Sequence, residues 1–215
     1  DIYRVLAALP QGARVMADEA TANSRIAHAL AHTEWQAVRS PASVRKAVKS
    51  AGEQEGFRAA HLQDGAALCR FLCRVKKHPE AFTEVSAGEL LHRLRAEGAD
   101  FVEDSFDTIA AYGAHGAVVH YSATAETDVP LQRRGLLLLD SGGHYRCGTT
   151  DVTRTFALGD ITARERQTTT LVLRGHIQLA MARFPKGVCG ENLDALARMP
   201  LWREGLDFDH GTGHG

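Results

Sequence analysis

Leu136-Leu137-Leu138-Leu139-Asp140-Ser141-Gly142-Gly143, followed closely by Gly148-Thr149-Thr150-Asp151-Val152-Thr153-Arg154-Thr155, is the stretch from which the rest of the chain can be read. An apolar strand ends on a carboxylate, a glycine-bearing turn follows, and a second β-branched strand opens on another carboxylate. With the turn centred on Tyr145-Arg146, Asp140 and Asp151 are equidistant from it and lie directly opposite each other. Opposed residues of an antiparallel pair have Cβ atoms about 4.5 to 5.5 Å apart. Two carboxylates that close repel, unless a cation sits between them or one is protonated. Metal pairs in hydrolytic sites are about 3.5 to 4 Å apart, a spacing that two such groups could bridge. A polar hairpin with exposed aspartates on either side of a turn is the alternative at this point.

Working outward, glycine-punctuated segments at Thr108 to Tyr121, Gly135 to Asp140 and Thr149 to Leu158 read as β-rich. Helical patterns flank them. After Pro41, apolar residues recur at helical spacing from Val44 to Val75, softly interrupted by Gly52 and Gly56, which predicts one long or broken amphipathic helix. Ser86 with Glu89 makes a capping box ahead of Leu90, Leu91 and Leu94, with Gly98 as the stop. Thr162 with Glu165 repeats the device, Pro185 ends that run, and a shorter helix is expected over Asn192 to Arg198. Residues 1 to about 40 hold an alanine-rich helical stretch around Ile26 and Leu30. Helices, then strands, then helices indicate an α+β fold rather than regular βαβ alternation.

Composition narrows the function classes. The 215 residues are 44% hydrophobic and 24% charged, an ordinary globular balance with room for one large domain or two modest ones. A formal net charge of -1, with basic residues in no block longer than pairs such as Lys76-Lys77 and Arg133-Arg134, gives no footprint for nucleic acid or anionic lipid. Apolar runs such as Leu136 to Leu139 fall far short of the roughly 20 residues of a membrane span. The four cysteines form no CxxC pair and read as reduced thiols of an intracellular protein.

Two further features carry chemistry. In His210-Gly211-Thr212-Gly213-His214-Gly215, three glycines permit close backbone approach and two histidines offer neutral nitrogen donors, although a solvated turn would look the same. His120 ends the apolar run Ala117-Val118-Val119, where a lone histidine is more often a satisfied structural residue than a catalytic one.

In this order the motifs resemble the aminopeptidase P branch of the creatinase, prolidase and methionine aminopeptidase superfamily. The resemblance is carried by Gly116-Ala117-Val118-Val119-His120-Tyr121-Ser122-Ala123-Thr124, Leu139-Asp140-Ser141-Gly142-Gly143, Gly148 to Thr155 and His210 to Gly215. Gly56-Phe57-Arg58-Ala59-Ala60-His61 is similar to the opening of that family's catalytic domain. The likeness runs from about residue 45 to the end, with a fainter match before it.

The resemblance implies an α+β pita-bread catalytic domain over residues 44–215, incomplete at its C-terminal end, preceded by residues 1–43 as the last part of a creatinase-like N-terminal domain. It implies two divalent metal ions, manganese in this branch with cobalt or zinc as alternatives. Asp140 and Asp151 match carboxylate ligands and His214 the histidine ligand, while His120 and His210 match histidines that line the site and hold substrate and the tetrahedral intermediate. The implied activity is release of an N-terminal residue that precedes proline, through attack by a metal-bridging water. Peptides with proline in second position are then the substrates, and a cytoplasmic homo-oligomer is expected for the full-length parent, with no nucleic-acid or membrane partner. A prolidase-type dipeptidase, a creatinase and a metal-free binding module are the alternatives. The resemblance also puts two glutamate ligands and a further histidine beyond His214, so a truncated piece is expected, inactive by itself. His144 and Cys147 depart from the family pattern, which has Gln or another polar residue and Asp there; a thiol so near the site could bind a soft metal.

Overall fold

The structure is a computed structural model that describes residues 1–214. It contains two compact units that meet in the chain between Glu55 and Gly56; the sequence reading set the domain division at 43/44.

In the first unit, α1 (Ile2–Ala7) precedes β1 (Arg14–Ala17), α2 (Ser24–Ala29), β2 (Glu34–Ala37) and α3 (Pro41–Ala47). β1 and β2 pair in parallel, Arg14 with Glu34 through Ala17 with Ala37. The expected helical stretch is therefore shorter than composition suggested. Asn23 starts α2 late, its side chain accepting from the Ile26 N–H at 3.1 Å, and Val15 and Trp35, paired across the ladder, turn the flanking segments into strands. The helix expected after Pro41 is broken: α3 ends at Ala47 and α4 (Ala51–Lys77) starts afresh, its later turns belonging to the second unit.

The second unit continues with α5 (Glu84–Ala96), β3 (Phe101–Asp104), β4 (Ile109–Tyr112), β5 (Leu136–Ser141), β6 (Gly143–Tyr145), β7 (Gly148–Thr149), β8 (Val152–Ala157), α6 (Ala163–Ala180) and α7 (Gly190–Trp202). α5 opens one turn earlier than expected. Its cap is Thr83, whose hydroxyl accepts from the Ser86 N–H while Ser86 returns the bond to the Thr83 N–H at 2.8 Å; Glu84 thereby enters the first turn and is buried. The Thr162 and Glu165 box caps α6 as read. That helix stops at Ala180, ahead of Pro185, and α7 runs through buried Pro200 to Trp202.

Two antiparallel sheets, β4-β5-β8 and β3-β6-β7, share the hairpin that joins β5 to β8. β5 alternates: Leu137, Leu139 and Ser141 are buried on one face, and Leu136, Leu138 and Asp140 lie on the other. The buried face packs with Phe71, Val75, Leu91 and Leu94 of α4 and α5 into the hydrophobic core.

A polar network is buried beside that core. The Arg95 side chain is 0% exposed. Its Nε donates to Asp64 at 2.6 Å and its Nη2 to Ser141 Oγ at 3.0 Å, while the Tyr145 hydroxyl donates to Asp64 at 3.0 Å. Burial, and then the Asp64 carboxylate, push the Tyr145 phenol well above its ordinary value, so it remains a donor. The network ties α4 and α5 to both strands that flank Gly142.

Candidate metal centre

The β5 to β8 hairpin sets the positions of both aspartates. Its ladder pairs Asp140 with Thr153 and Ser141 with Val152, and continues through His144 with Thr149 to Tyr145 with Gly148. The pivot is thus Arg146-Cys147, one residue later than read, and Asp140 and Asp151 are not directly opposed. Tyr145 explains the shift: it is only 6% exposed, stacks edge-on against Phe101 at 5.8 Å and bonds Asp64, so it is a strand residue rather than a turn residue. Asp151 precedes β8 on the diagonal from Asp140. In a regular ladder a diagonal of that kind separates Cα atoms by about 7 to 8 Å. Gly142 is required at the crossing, because a Cβ there would sit 2.0 Å from the Thr150 carbonyl oxygen.

The two carboxylates differ in surroundings. Oδ1 of Asp140 is buried and has no hydrogen-bond partner among the described residues. Asp151 is half-exposed, and its Oδ2 lies 3.2 Å from Nε2 of exposed His214. An exposed ion pair of this kind contributes about 0 to 1 kcal/mol. What matters more is that a carboxylate oxygen and an imidazole nitrogen point at the same space. The structure therefore brings Asp151 and His214 together, while no group of three His, Cys, Asp or Glu side chains converges on one point among the described residues. The unpartnered buried oxygen of Asp140 and, separately, the oxygen and nitrogen of Asp151 and His214 are donor types that suit a divalent cation such as manganese, cobalt or zinc. His144 and Cys147 lie toward the hairpin tip, with His144 Nδ1 2.9 Å from Thr149 Oγ1 across the β6 and β7 pair.

His214 is carried on the loop after α7. Gly215, the last glycine of its motif, lies outside the described residues. α6 and α7 touch at the backbone: a Cβ on Gly175 would sit 2.0 Å from the Ala197 carbonyl oxygen. The next residue, Arg198, spans from α7 to the loop. Its Nε donates to Asp194 at 2.6 Å, Nη1 to Asp207 at 2.8 Å and to the Phe208 carbonyl at 2.5 Å, and Nη2 to the His210 carbonyl at 2.8 Å. The guanidinium also lies 3.9 Å from the Phe208 ring centroid, and His210 stacks on the same ring at 4.7 Å. The Thr212 hydroxyl donates to the other oxygen of Asp194. Thr212, followed by Arg198, holds the Asp194 carboxyl below its usual range, and Asp207 followed by Asp194 raises the Arg198 guanidinium further. Asp194, Arg198, Asp207 and Phe208 were not singled out as functional in the sequence; the available signal was the spacing of Asp194 and Arg198 by one helical turn ahead of a glycine loop.

His210 itself donates from Nδ1 to the Gly211 carbonyl at 2.7 Å, which leaves Nε2 as its available nitrogen. His120 is placed differently from the reading. β4 ends at Tyr112 and a 3-10 turn covers Gly113–Ala117, so His120 sits in a turn rather than at a strand end, with φ of 53°. It is exposed and has no hydrogen-bond partner among the described residues. The turn is held by its neighbour. The Tyr121 hydroxyl donates to buried Glu84 at 2.8 Å, His115 approaches the same carboxylate at 2.9 Å, and the Tyr112 N–H donates to it at 2.6 Å. Burial, and then Glu84, raise the Tyr121 phenol above its ordinary value.

This geometry has counterparts in known proteins. Metallopeptidase family M24 matches residues 55–215. A probable Xaa-Pro aminopeptidase P from Arthroderma otae is 44% identical over 182 residues, covering 83% of this chain and 29% of the relative. One from Paracoccidioides brasiliensis is 46% identical over 182 residues, with 83% and 30% covered. The chain thus spans about three tenths of the length of these relatives. Among solved structures, the X-prolyl aminopeptidase from Caenorhabditis elegans, described as a cytosolic enzyme with a di-nuclear active site, superposes with a TM-score of 0.85 at 39% identity, covering 94% of this chain and 33% of that one. The prolidase from Pyrococcus furiosus, at 21% identity and a TM-score of 0.75, shares the fold, with 95% and 58% covered. The α+β pita-bread architecture expected from the sequence is the architecture of these structures. Among the described residues no helix is long and apolar enough to cross a membrane.

Proposed function

The chain belongs to metallopeptidase family M24, and we propose that the protein it forms part of is a cytoplasmic Xaa-Pro aminopeptidase that uses two divalent metal ions, manganese foremost. Asp140, Asp151 and His214 are the ligands contributed here, and His120 and His210 face the substrate. Residues 1–43 are the end of the preceding domain, and the active form is a homo-oligomer. The observation that carries the reading is the 3.2 Å approach of Asp151 to His214 at the start of β8, the strand paired with the one that bears Asp140 and its unpartnered oxygen.

Bound there, a pair of divalent ions supplies a polarised scissile carbonyl and a water of lowered pKa. The chain's own groups do the rest. Asp140 and Asp151 offer carboxylate oxygens from the two arms of a hairpin stiffened by the network of Asp64, Arg95 and Tyr145. His210 keeps Nδ1 occupied as a donor and presents Nε2 as an acceptor, a nitrogen suited to take a hydrogen bond from a substrate N–H. His120, on a turn fixed by Tyr121 and Glu84, presents an imidazole without a competing partner among the described residues.

The experiment is a manganese-dependent peptidase assay on the full-length protein with three substrates: a Xaa-Pro-Xaa peptide, a Xaa-Pro dipeptide and a peptide lacking proline. Release of the first residue from the longer Xaa-Pro peptide is expected. Cleavage confined to the dipeptide would make the protein a prolidase, and absence of metal-dependent turnover would leave the binding-module reading.

A further inference from the structure

We infer that Arg198 is a positioning residue that sets the place of His214 by clamping the backbone of the glycine loop to α7; this rests on the metal-centre reading above. A loop of His210-Gly211-Thr212-Gly213-His214 has few side-chain contacts of its own, and two glycines give it wide conformational freedom. Left alone it would place an imidazole poorly. One guanidinium removes that freedom at both loop carbonyls it reaches, Phe208 and His210, while Nε is anchored on Asp194 of its own helix.

Asp194 works at both ends of the clamp. One of its oxygens orients the guanidinium and the other receives the Thr212 hydroxyl, two residues before His214. Phe208 closes the arrangement, with Arg198 over its ring and His210 stacked on it. The donors leave Arg198 in divergent directions, a fork that a planar guanidinium supplies and a lysine ammonium on a flexible stem does not. The side chain is only 14% exposed, so these bonds are largely shielded from water. Its position along α7 is fixed in turn by the contact of Gly175 with Ala197. The Arg198 hydrogen bonds go to Asp194, Asp207 and the Phe208 and His210 carbonyls and not to Asp140, Asp151 or His214, so its effect on the centre passes through the loop.

The test uses the full-length protein and three variants, Arg198→Ala, Arg198→Lys and Thr212→Val, read by manganese titration calorimetry and by hydrogen exchange at the Gly211 to Gly213 amides in the metal-free state. Loss of a group that orients a ligand weakens metal binding by about 10- to 100-fold. Arg198→Ala is expected to raise the manganese Kd by at least about tenfold and to speed loop exchange, with partial recovery of both on adding methylguanidinium. Arg198→Lys should not restore either. Thr212→Val, which keeps the guanidinium, should speed exchange at the same amides and keeps the test decisive should Arg198→Ala misfold. An unchanged Kd in Arg198→Ala, or full recovery in Arg198→Lys, would overturn the clamp. Asp151→Asn is the control: a raised Kd in that variant alone leaves the metal centre standing without the clamp, whereas an unchanged Kd in both removes the metal-centre reading and the inference with it.

Discussion

Oδ2 of Asp151 stands 3.2 Å from Nε2 of His214, joining the start of a β-strand to a loop that follows the last helix. Both side chains are substantially exposed, at 46% and 79%, so the contact contributes little to folding. Asp151→Asn is therefore expected to abolish manganese-dependent hydrolysis in the full-length protein while moving the thermal midpoint by no more than a degree or so. Turnover assays beside a melting curve check this. Near-normal cleavage of a Xaa-Pro peptide by the variant would remove Asp151 from the ligand set.

Asp140 makes a separate prediction from its unpartnered oxygen. A ligand that binds only the folded state stabilises it by RT ln(1 + [L]/Kd), about 2.7 kcal/mol at 100 times Kd. Manganese at that excess should raise the stability of the full-length protein by this amount, and Asp140→Asn should lose the gain. Denaturant unfolding with and without metal measures it; an equal metal-induced gain in both proteins would place the ion elsewhere.

Much of this arrangement was legible in the sequence because it is local. The apolar run Leu136 to Leu139 gave β5, and reciprocal side-chain bonds between Thr162 and Glu165 gave the start of α6. Register was not legible: the hairpin pivot moved to Arg146-Cys147 because Tyr145 bonds Asp64, a residue far away in sequence. The segment around His120 looked like a strand from its valines, yet it is organised by the buried carboxylate of Glu84, which receives Tyr112, His115 and Tyr121. The role of Arg198 was hidden for the same reason. A lone basic residue on a helix reads as a solvated charge until the fold brings the loop carbonyls to it.

The pair of Asp64 and Arg95 should be the costliest polar feature to break. Both side chains are essentially unexposed, at 1% and 0%. Removing one partner of a buried pair strands the other charge, at a loss of about 3 to 5 kcal/mol. Asp64→Ala is expected to fall in that range by urea denaturation and also to loosen the hairpin, because Tyr145 loses its acceptor. A loss below about 1 kcal/mol, the scale of an exposed pair, would mean that water replaces the carboxylate and that the network does not stiffen the site.

Asp207 supplies a pH dependence whose sign follows from its donors. The Trp202 indole N–H first, then the Phe208 backbone N–H and Arg198, hold its carboxyl below the ordinary range. A folded-state value below the unfolded one, about 3.9, means that the ionised form is favoured by folding. The contribution is fully present above the unfolded value and is lost as pH falls through the lower, folded one. The Trp202 indole N–H resonance, assigned by its loss in Trp202→Phe, should therefore stay fixed from neutral pH down to about 4.5 and move only below about 3.9. Asp207→Asn, which still offers the indole an oxygen but does not titrate, should lose that step. A shift centred between about pH 6 and 7 would instead follow a histidine.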